Sequence, residues 1–248
     1  MSKTYKTSHY DLIVKMEREH FWFQSRNRLL AHIVDRFIPK RAGKTFLEVG
    51  FGTGVVLAQL ASLGLNVEGV DVNAEAVSIA KRRVHAKFYR SSLYSFIPGK
   101  QYDAIGAFDV LEHQSDDRKF LAKCYQLLKP NGLLFLTAPS GMWLWNSLDE
   151  YAGHKRRYEI SKLLDVVNKA GFNVLYWNYW QMFTLPFFII FRSRKKKLSE
   201  YLSVPPKIIN SFFLFLSYLE LPFFLRFRFP IGSSIVLIAR AGLPTTTV

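Results

Sequence analysis

The order of apolar runs predicts an α/β fold built on a mostly parallel, doubly wound sheet. Three observations carry that prediction. Short β-branched and aromatic runs alternate with stretches of helical period from residue 45 to residue 138. A glycine-rich turn stands directly between the first strand and the helix after it. Breakers containing Gly, Pro or Asn mark the later junctions.

The elements follow in order. Residues 11–38 carry apolar side chains at Phe21, Leu29, Ile33 and Phe37 with polar ones between, the pattern of a single amphipathic helix. A breaker at 39–44 precedes a strand over 45–50, the glycine-rich turn and a helix over 53–63. A second strand is expected at 66–71, a helix at 74–84, a short strand at 87–90, a strand at 102–108 and a helix at 117–128. The Pro130-Asn131-Gly132 turn introduces a strand over 132–138. The rhythm then loosens into a loop to residue 158, a helix over 161–170 stopped by Gly171, and a strand over 172–180. The last strand is the β-branched run 234–241 after Pro230-Ile231-Gly232. The stretch between those two strands is far longer than ordinary connections and reads as an insertion.

At 248 residues, 49% of them hydrophobic, the chain supports one sizeable core and not two full domains. Residues 1–15 mix Lys, Thr, Ser and Tyr with no long apolar run, so secretion is not expected and a cytoplasmic setting is. The single cysteine, Cys124, excludes an internal disulfide; beside Leu121 and Leu127 it reads as a small core residue. A net charge of +15 implies an anionic partner. Half of the 22 Phe lie between Phe183 and Phe229, intermixed with Arg192, Arg194, Lys195, Lys196, Lys197, Lys207, Arg226 and Arg228. That mixture suits a phospholipid surface better than nucleic acid.

The chemical signal is Phe46-Leu-Glu48-Val-Gly50-Phe51-Gly52-Thr-Gly54, a strand running into glycines and then a helix. Glycine there lets the backbone turn tightly and approach a ligand. At the end of the second strand stands Asp71, whose carboxylate can accept both hydroxyl protons of a ribose. The pairing suits an adenosine cofactor. A nicotinamide dinucleotide is disfavoured, because its G-x-G-x-x-G fingerprint needs a longer advance from the second to the third glycine than Gly52 to Gly54 provides.

Glu48, Gly50, Gly52, Gly54 and Asp71 resemble the first two motifs of class I S-adenosylmethionine-dependent methyltransferases. The run Tyr102-Asp-Ala-Ile-Gly-Ala-Phe108-Asp109-Val-Leu-Glu-His113 resembles their fourth-strand motif, and Leu127-Leu-Lys-Pro-Asn-Gly132 the turn before their fifth strand. The likeness covers about residues 44–180 and the last strand, and leans toward the quinone-biosynthesis methyltransferases and relatives of polysaccharide and lipid pathways. It implies a Rossmann-like, seven-stranded, mostly parallel sheet with helices on both faces and an antiparallel last strand. A single methyltransferase domain is expected, with a helical lid (1–40), a cofactor-binding core (41–180), a hydrophobic and basic insertion (181–230) and the last strand and tail (231–248).

The resemblance implies S-adenosyl-L-methionine as cofactor: its methionine part over Gly50 and Gly52, with Phe51 and Gly54 completing the turn, its ribose on Asp71 and its adenine against Val72. Phe108 and Asp109 should stand beside the sulfonium. The family often has Asp where Glu48 stands, and an acidic residue near Ser91; here one or another of Ser91, Ser92 and Leu93 would meet the adenine amino group, through a hydroxyl or the backbone. In Glu19-His-Phe-Trp-Phe-Gln-Ser-Arg26-Asn-Arg28, Trp22 and Phe23 would close a lid, and Arg26 or Arg28 would meet the methionine carboxylate.

Methyl transfer needs alignment more than it needs chemical groups, so few catalytic residues are expected. For a hydroxyl acceptor the candidate bases are His154, in Gly153-His-Lys-Arg-Arg-Tyr158, and His113, with His154 ahead. Lys155, Arg156 and Arg157 read either as part of that site or as a solvated approach to the next helix. No metal is expected, since the six His are scattered along the chain.

Residues 180–191 and 208–225 are apolar but short or interrupted by polar residues, which favours an interfacial hairpin on an anionic membrane over a spanning helix. A hydrophobic cap on the protein or a dimer contact is the other reading. The expected function is methylation, by O-methylation, of a small or lipid-linked acceptor by an enzyme held peripherally on the cytoplasmic face of a membrane. The alternatives are a methyltransferase for a soluble small molecule and an inactive, methyltransferase-like binding or scaffold protein.

Overall fold

The computed structural model describes residues 10–192 and 203–242. Its strands are β1 (Thr45–Val49), β2 (Asn66–Asp71), β3 (Lys87–Arg90), β4 (Tyr102–Phe108), β5 (Leu128–Pro139), β6 (Phe172–Trp180) and β7 (Ser234–Ala241). They form one sheet in the order β3-β2-β1-β4-β5-β7-β6. Every pairing is parallel except those of β7, which runs antiparallel to both β5 and β6. The expected seven-stranded, Rossmann-like α/β fold is the one observed.

The helices are α1 (Tyr10–Glu19), α2 (Phe21–Phe37), α3 (Val55–Ser62), α4 (Ala74–Arg83), α5 (Asp117–Leu127), α6 (Ser147–Ala152), α7 (Ile160–Lys169), α8 (Leu185–Arg192) and α9 (Lys207–Phe224). The central strands are near-continuous buried runs because both faces of the sheet are covered. Leu121, Leu127, Leu163, Val166 and Val167 of α5 and α7 pack on one face; Leu29, Leu30 and Ile33 of α2, Leu57 of α3 and Phe224 of α9 pack on the other. Cys124 is a buried member of the first cluster, as its sequence context implied.

Three local expectations are corrected. The first helix is two, broken at His20, whose extended backbone and ring Nδ1, accepting from the Trp22 N–H at 3.1 Å, cap α2. The expected loop to residue 158 contains α6, begun by an Asn146–Asp149 capping box, together with a single 3₁₀ turn at Met142–Leu144. Strand β5 starts at Leu128, before the Pro130-Asn131-Gly132 turn and not after it; Asn131 takes φ 62° and the pairing with β4 shifts register there. The insertion contributes α8 and α9, and Asn210 ties α9 to the junction of α1 and α2 by accepting from Phe21 N–H and donating to the Glu19 carbonyl. Arg194, Lys195, Lys196 and Lys197 lie outside the described residues, as does the side chain of Arg192.

The chain leaves β1 toward β2 and β3 and returns to the opposite side of β1 as β4. Ligands of open α/β sheets bind in the crevice beyond the strand ends at such a reversal. The glycine turn after β1 and Asp109 after β4 both stand there.

Candidate active site

The turn after β1 depends on left-handed glycines, with φ of 68°, 56° and 77° at Gly50, Gly52 and Gly54. A methyl group on Gly50 would lie 2.7 Å from Val110 Cγ2, and one on Gly54 2.7 Å from the Ala80 Cβ. At Gly52 it would meet no atom of the described residues within 4 Å, so it would fill an open cradle. Phe51 gives the turn its backbone, while its side chain is buried in the core against Phe88, with ring centroids 5.2 Å apart.

Asp71 closes the cradle from the end of β2. Its Oδ2 accepts the Gly52 N–H at 3.1 Å and its Oδ1 the Asn73 N–H at 2.8 Å, so the side chain is held rigidly. Burial raises its pKa, and those backbone donors oppose the rise. Val72 beside it is 61% exposed, an apolar surface at the rim of the cradle. Ser91 N–H donates to the Asp71 carbonyl, which brings the residues after β3 to the same edge. The hydroxyls there are used locally, Ser91 on the Ser92 carbonyl and Ser92 as cap of the turn Leu93–Ser95, while Leu93 is buried in the core.

Glu48, at the end of β1, is buried with one carboxyl oxygen that has no hydrogen-bond partner among the described residues. Burial pushes its pKa up to about 8, although the Arg26 charge works against the rise. An open cradle, an orphaned buried carboxyl, a two-oxygen acceptor and an exposed apolar residue together fit an adenosyl amino-acid cofactor. Sequence reading missed the clamp over this turn. Thr53 hydrogen-bonds to Glu17 of α1, and Arg83 of α4 reaches Glu17 at 2.7 Å and Thr53 at 2.8 Å. No spacing rule links residues 17, 53 and 83.

Asp109 follows β4 with a left-handed φ of 56°, sparse for a residue with a Cβ. It pairs with Arg26 Nε at 2.7 Å, and Arg26 also donates to the Phe108 carbonyl. Arg28 turns away, its guanidinium over the Tyr218 ring at 4.6 Å, so the expected alternative between the two arginines narrows to Arg26. Trp22 lies beneath the Arg26 guanidinium, and Phe23 meets Trp22 edge-on.

A second polar cluster forms where the turn after β4 meets α6. His154 Nδ1 hydrogen-bonds to Asp149 Oδ1 at 2.8 Å, and its Nε2 is 3.8 Å from Glu112. Glu112 is buried with neither carboxyl oxygen hydrogen-bonded among the described residues, and burial with the nearby Asp109 charge drives its pKa well up. His113 stands edge-on to His154 with ring centroids 4.9 Å apart, and burial lowers its pKa. Ligand atoms of Glu112, His113 and His154 fall within 4.8 Å of one another, a set able to hold a metal ion. This corrects the picture of scattered histidines for these two. The basic run is likewise not a solvated approach: Arg157 is buried on Asp149, and Arg156 binds Asp117 and the carbonyls of Gln114 and Ser115.

The methyltransferase domain family matches residues 21–176. The chain belongs to that family. Its domain is therefore of the class I, S-adenosylmethionine-dependent methyltransferase type, as its fold and cofactor cradle imply. Among relatives, phosphoethanolamine N-methyltransferase 2 of Caenorhabditis elegans is 28% identical over 56% of this chain and 35% of its own length. A ubiquinone biosynthesis O-methyltransferase of Thiobacillus denitrificans is 33% identical over 45% of this chain and 50% of its own. The chain thus spans half or less of these two relatives. The N-methyltransferase NodS of Bradyrhizobium japonicum, solved with S-adenosyl-L-homocysteine, superposes with a TM-score of 0.57 over 92% of this chain and 90% of its own at 14% identity, a likeness of fold.

Proposed function

We propose that this protein transfers a methyl group from S-adenosylmethionine to a hydroxyl of a small or lipid-linked acceptor at an anionic membrane surface. When bound, the cofactor supplies a methyl group on a positively charged sulfur, which an acceptor oxygen takes by in-line displacement as the carbon–sulfur bond breaks. The chain's part is to hold and align. Gly50 and Gly52 give backbone approach, Asp71 orients the ribose, Val72 faces the adenine, and Glu48 with Arg26 serves the charged amino-acid end. Phe108 and Asp109 flank the reacting centre.

His154 takes the proton that leaves the acceptor oxygen. Support comes from Asp149, which fixes the ring through Nδ1 and leaves Nε2 as the exchanging atom. Glu112, close to that nitrogen and wholly buried, connects the histidine to the Asp109 side of the site.

The observation that carries the membrane reading is α9. Ile208, Phe212, Phe215, Leu219 and Phe223 are exposed along one side of it, while Ser217 and Glu220 are buried against the body. By length and a mean hydropathy of 1.3 this helix passes the test for a membrane span. Its packing on the lid and its buried polar side favour a helix lying in the interface. Incubation with labelled cofactor and total lipid extract tests the whole reading: a labelled lipid product supports it, and cofactor binding with no product from lipid or soluble extracts would favour the inactive, scaffold-like alternative.

A further inference from the structure

The break between α1 and α2 deprives two backbone groups of helical partners, the Glu19 carbonyl that ends α1 and the Phe21 N–H that begins α2. One side chain serves both. Asn210, half-buried on the first turn of α9, accepts from the Phe21 N–H at 2.9 Å and donates to the Glu19 carbonyl at 2.8 Å. A carboxamide carries an acceptor and a donor on one carbon, so it can hold two adjoining peptide groups at once.

The angle at this break matters to the cofactor turn, because each arm brings one charged residue to it. On α1, Glu17 is the hub of the clamp on Thr53 and Arg83. On α2, Arg26 pairs with Asp109 at 2.7 Å beyond the end of β4. Both charges also act on the buried Glu48 carboxyl at the end of β1. Glu17 and Arg26 stand on opposite sides of His20, so they engage together only over a narrow range of angle between the helices. Helix α9 continues along α2 past the break. The Phe213 ring meets Phe21 with centroids 5.1 Å apart, Gln181 bridges Ser25 and Ser217 at 3.3 Å each, and Tyr218 lies against Arg28 at 4.6 Å. Of these ties, only that of Asn210 reaches α1 as well.

We propose that Asn210 is a positioning residue for the cofactor site: by tying both ends of the break it sets the angle between α1 and α2, and so keeps Glu17 on the glycine-rich turn while Arg26 holds Asp109. Loss of the amide frees α1 to swing, the clamp on Thr53 opens, and the turn that meets the cofactor loses its brace. The insertion thereby helps to hold the cofactor, from a helix that touches no part of the glycine-rich motif in sequence. The inference rests on the cofactor placement made above and is independent of the acceptor.

Calorimetry with S-adenosylhomocysteine on the full chain tests it. Asn210→Leu, close in volume and without the amide, should weaken binding by about fivefold or more, the scale of one or two hydrogen bonds. Asn210→Asp keeps the acceptor for Phe21 and loses the donor for Glu19, so it should fall between that variant and the parent. Tyr218→Leu loosens α9 from α2 without touching the break, and should bind like the parent. A residue that acts through Glu17 gives losses that do not add, so Glu17→Ala with Asn210→Leu should bind no more weakly than Glu17→Ala alone. Hydrogen exchange in Asn210→Leu should rise over residues 10–19 while β1 and β4 keep their protection; if the sheet loses protection too, Asn210→Asp takes its place under the same criteria. Parent-like affinity, equal weakening by Tyr218→Leu, or additive losses in the double variant overturns the proposal. Asp71→Ala separates the two layers: if it binds like the parent, the cofactor placement falls and this proposal with it, whereas weakening by Asp71→Ala and none by Asn210→Leu refutes the role of Asn210 alone.

Discussion

Arg26 and Asp109 form an ion pair at 2.7 Å that fastens helix α2 to the end of β4. Asp109 sits in a left-handed conformation, and its own N–H is spent on Thr137, so the guanidinium is what holds its carboxylate in place. One contact thereby fixes the start of α2 and orients the carboxylate of Asp109 at the end of β4. Alignment is the main demand of methyl transfer, which makes a rigid joint at this point useful.

Arg26→Ala should strip Asp109 of its partner in a largely covered site. A loss of about 1.5–3 kcal/mol is expected, the range for a hydrogen bond to a charged group. Thermal unfolding would show it as a lower Tm, and hydrogen exchange should rise along 21–37 ahead of the sheet. Arg26→Lys keeps the charge but not the planar fork and should recover only part. Unchanged protection in Arg26→Ala would mean α2 is held by its apolar face alone.

Asp71→Ala should weaken S-adenosylmethionine binding by roughly 1.5–3 kcal/mol in calorimetry. The structure adds a reason beyond the ribose, because Asp71 also accepts from Gly52 and Asn73 and so shapes the turn. Asp71→Asn keeps one acceptor oxygen and should fall between the two. Equal affinity for all three proteins would remove Asp71 from the cofactor site.

The pH dependence of stability has a definite sign. Burial raises Glu48 to about 8 and Glu220 to about 7, from an ordinary value of 4.5. Between 4.5 and those values the folded protein holds protons that the unfolded chain has released, so their contribution falls as pH rises through that window. His20, lowered to about 4 by burial, acts oppositely, losing stability as pH drops below 6.5. A difference measurement separates them. Glu220→Gln cannot titrate, so its stability relative to the parent should improve by up to roughly 3 kcal/mol from pH 4.5 to 7.5, and a constant gap would show that Glu220 ionises normally.

Much of this architecture was legible because local and tertiary signals agreed. Strands β2, β3, β4, β6 and β7 fall where their β-branched and aromatic runs placed them. The glycines of the β1 turn and Asp71 were legible for the same reason, since their chemistry lies within one βαβ unit. The break at His20 was not, because a histidine cap carries no periodic signature and Phe21 continues the apolar stripe across it. Glu112 looked like one residue of a motif; its burial beside His154 depends on α6 folding back over the end of β4. The Glu17–Thr53–Arg83 clamp and the seat of Asn210 between α1 and α2 likewise arise only when distant segments meet.

His154→Ala should lower turnover by about tenfold or more while leaving cofactor affinity nearly intact, since general-base assistance is typically worth at least that much. Asp149 is a less clean target, because it also holds Arg157 and caps α6. Cofactor calorimetry beside single-turnover rates distinguishes lost chemistry from lost structure. A fully active His154→Ala enzyme would exclude the histidine as base.

Membrane attachment should have two separable parts. Ile208, Phe212, Phe215, Leu219 and Phe223 recur at intervals of three and four and are between 41% and 85% exposed, a continuous apolar stripe on α9. Burying such a stripe among acyl chains is a hydrophobic contribution, insensitive to salt. Cations frame it: Lys207 at the start of the helix, exposed Arg226 just after it, and in sequence the run from Arg192 to Lys197 before it. Each basic residue near an anionic surface contributes about 1 kcal/mol, and that part is screened as salt rises. In liposome co-sedimentation the parent should need anionic lipid and release progressively with salt. Replacing Arg192, Arg194, Lys195, Lys196 and Lys197 by Ser should remove most of the salt-sensitive part. Replacing Phe212, Phe215 and Leu219 by Ser should instead weaken binding at every salt concentration and leave its salt slope nearly unchanged. Failure of the parent to sediment, or equal partitioning by both variants, would reassign the α9 stripe to a protein contact.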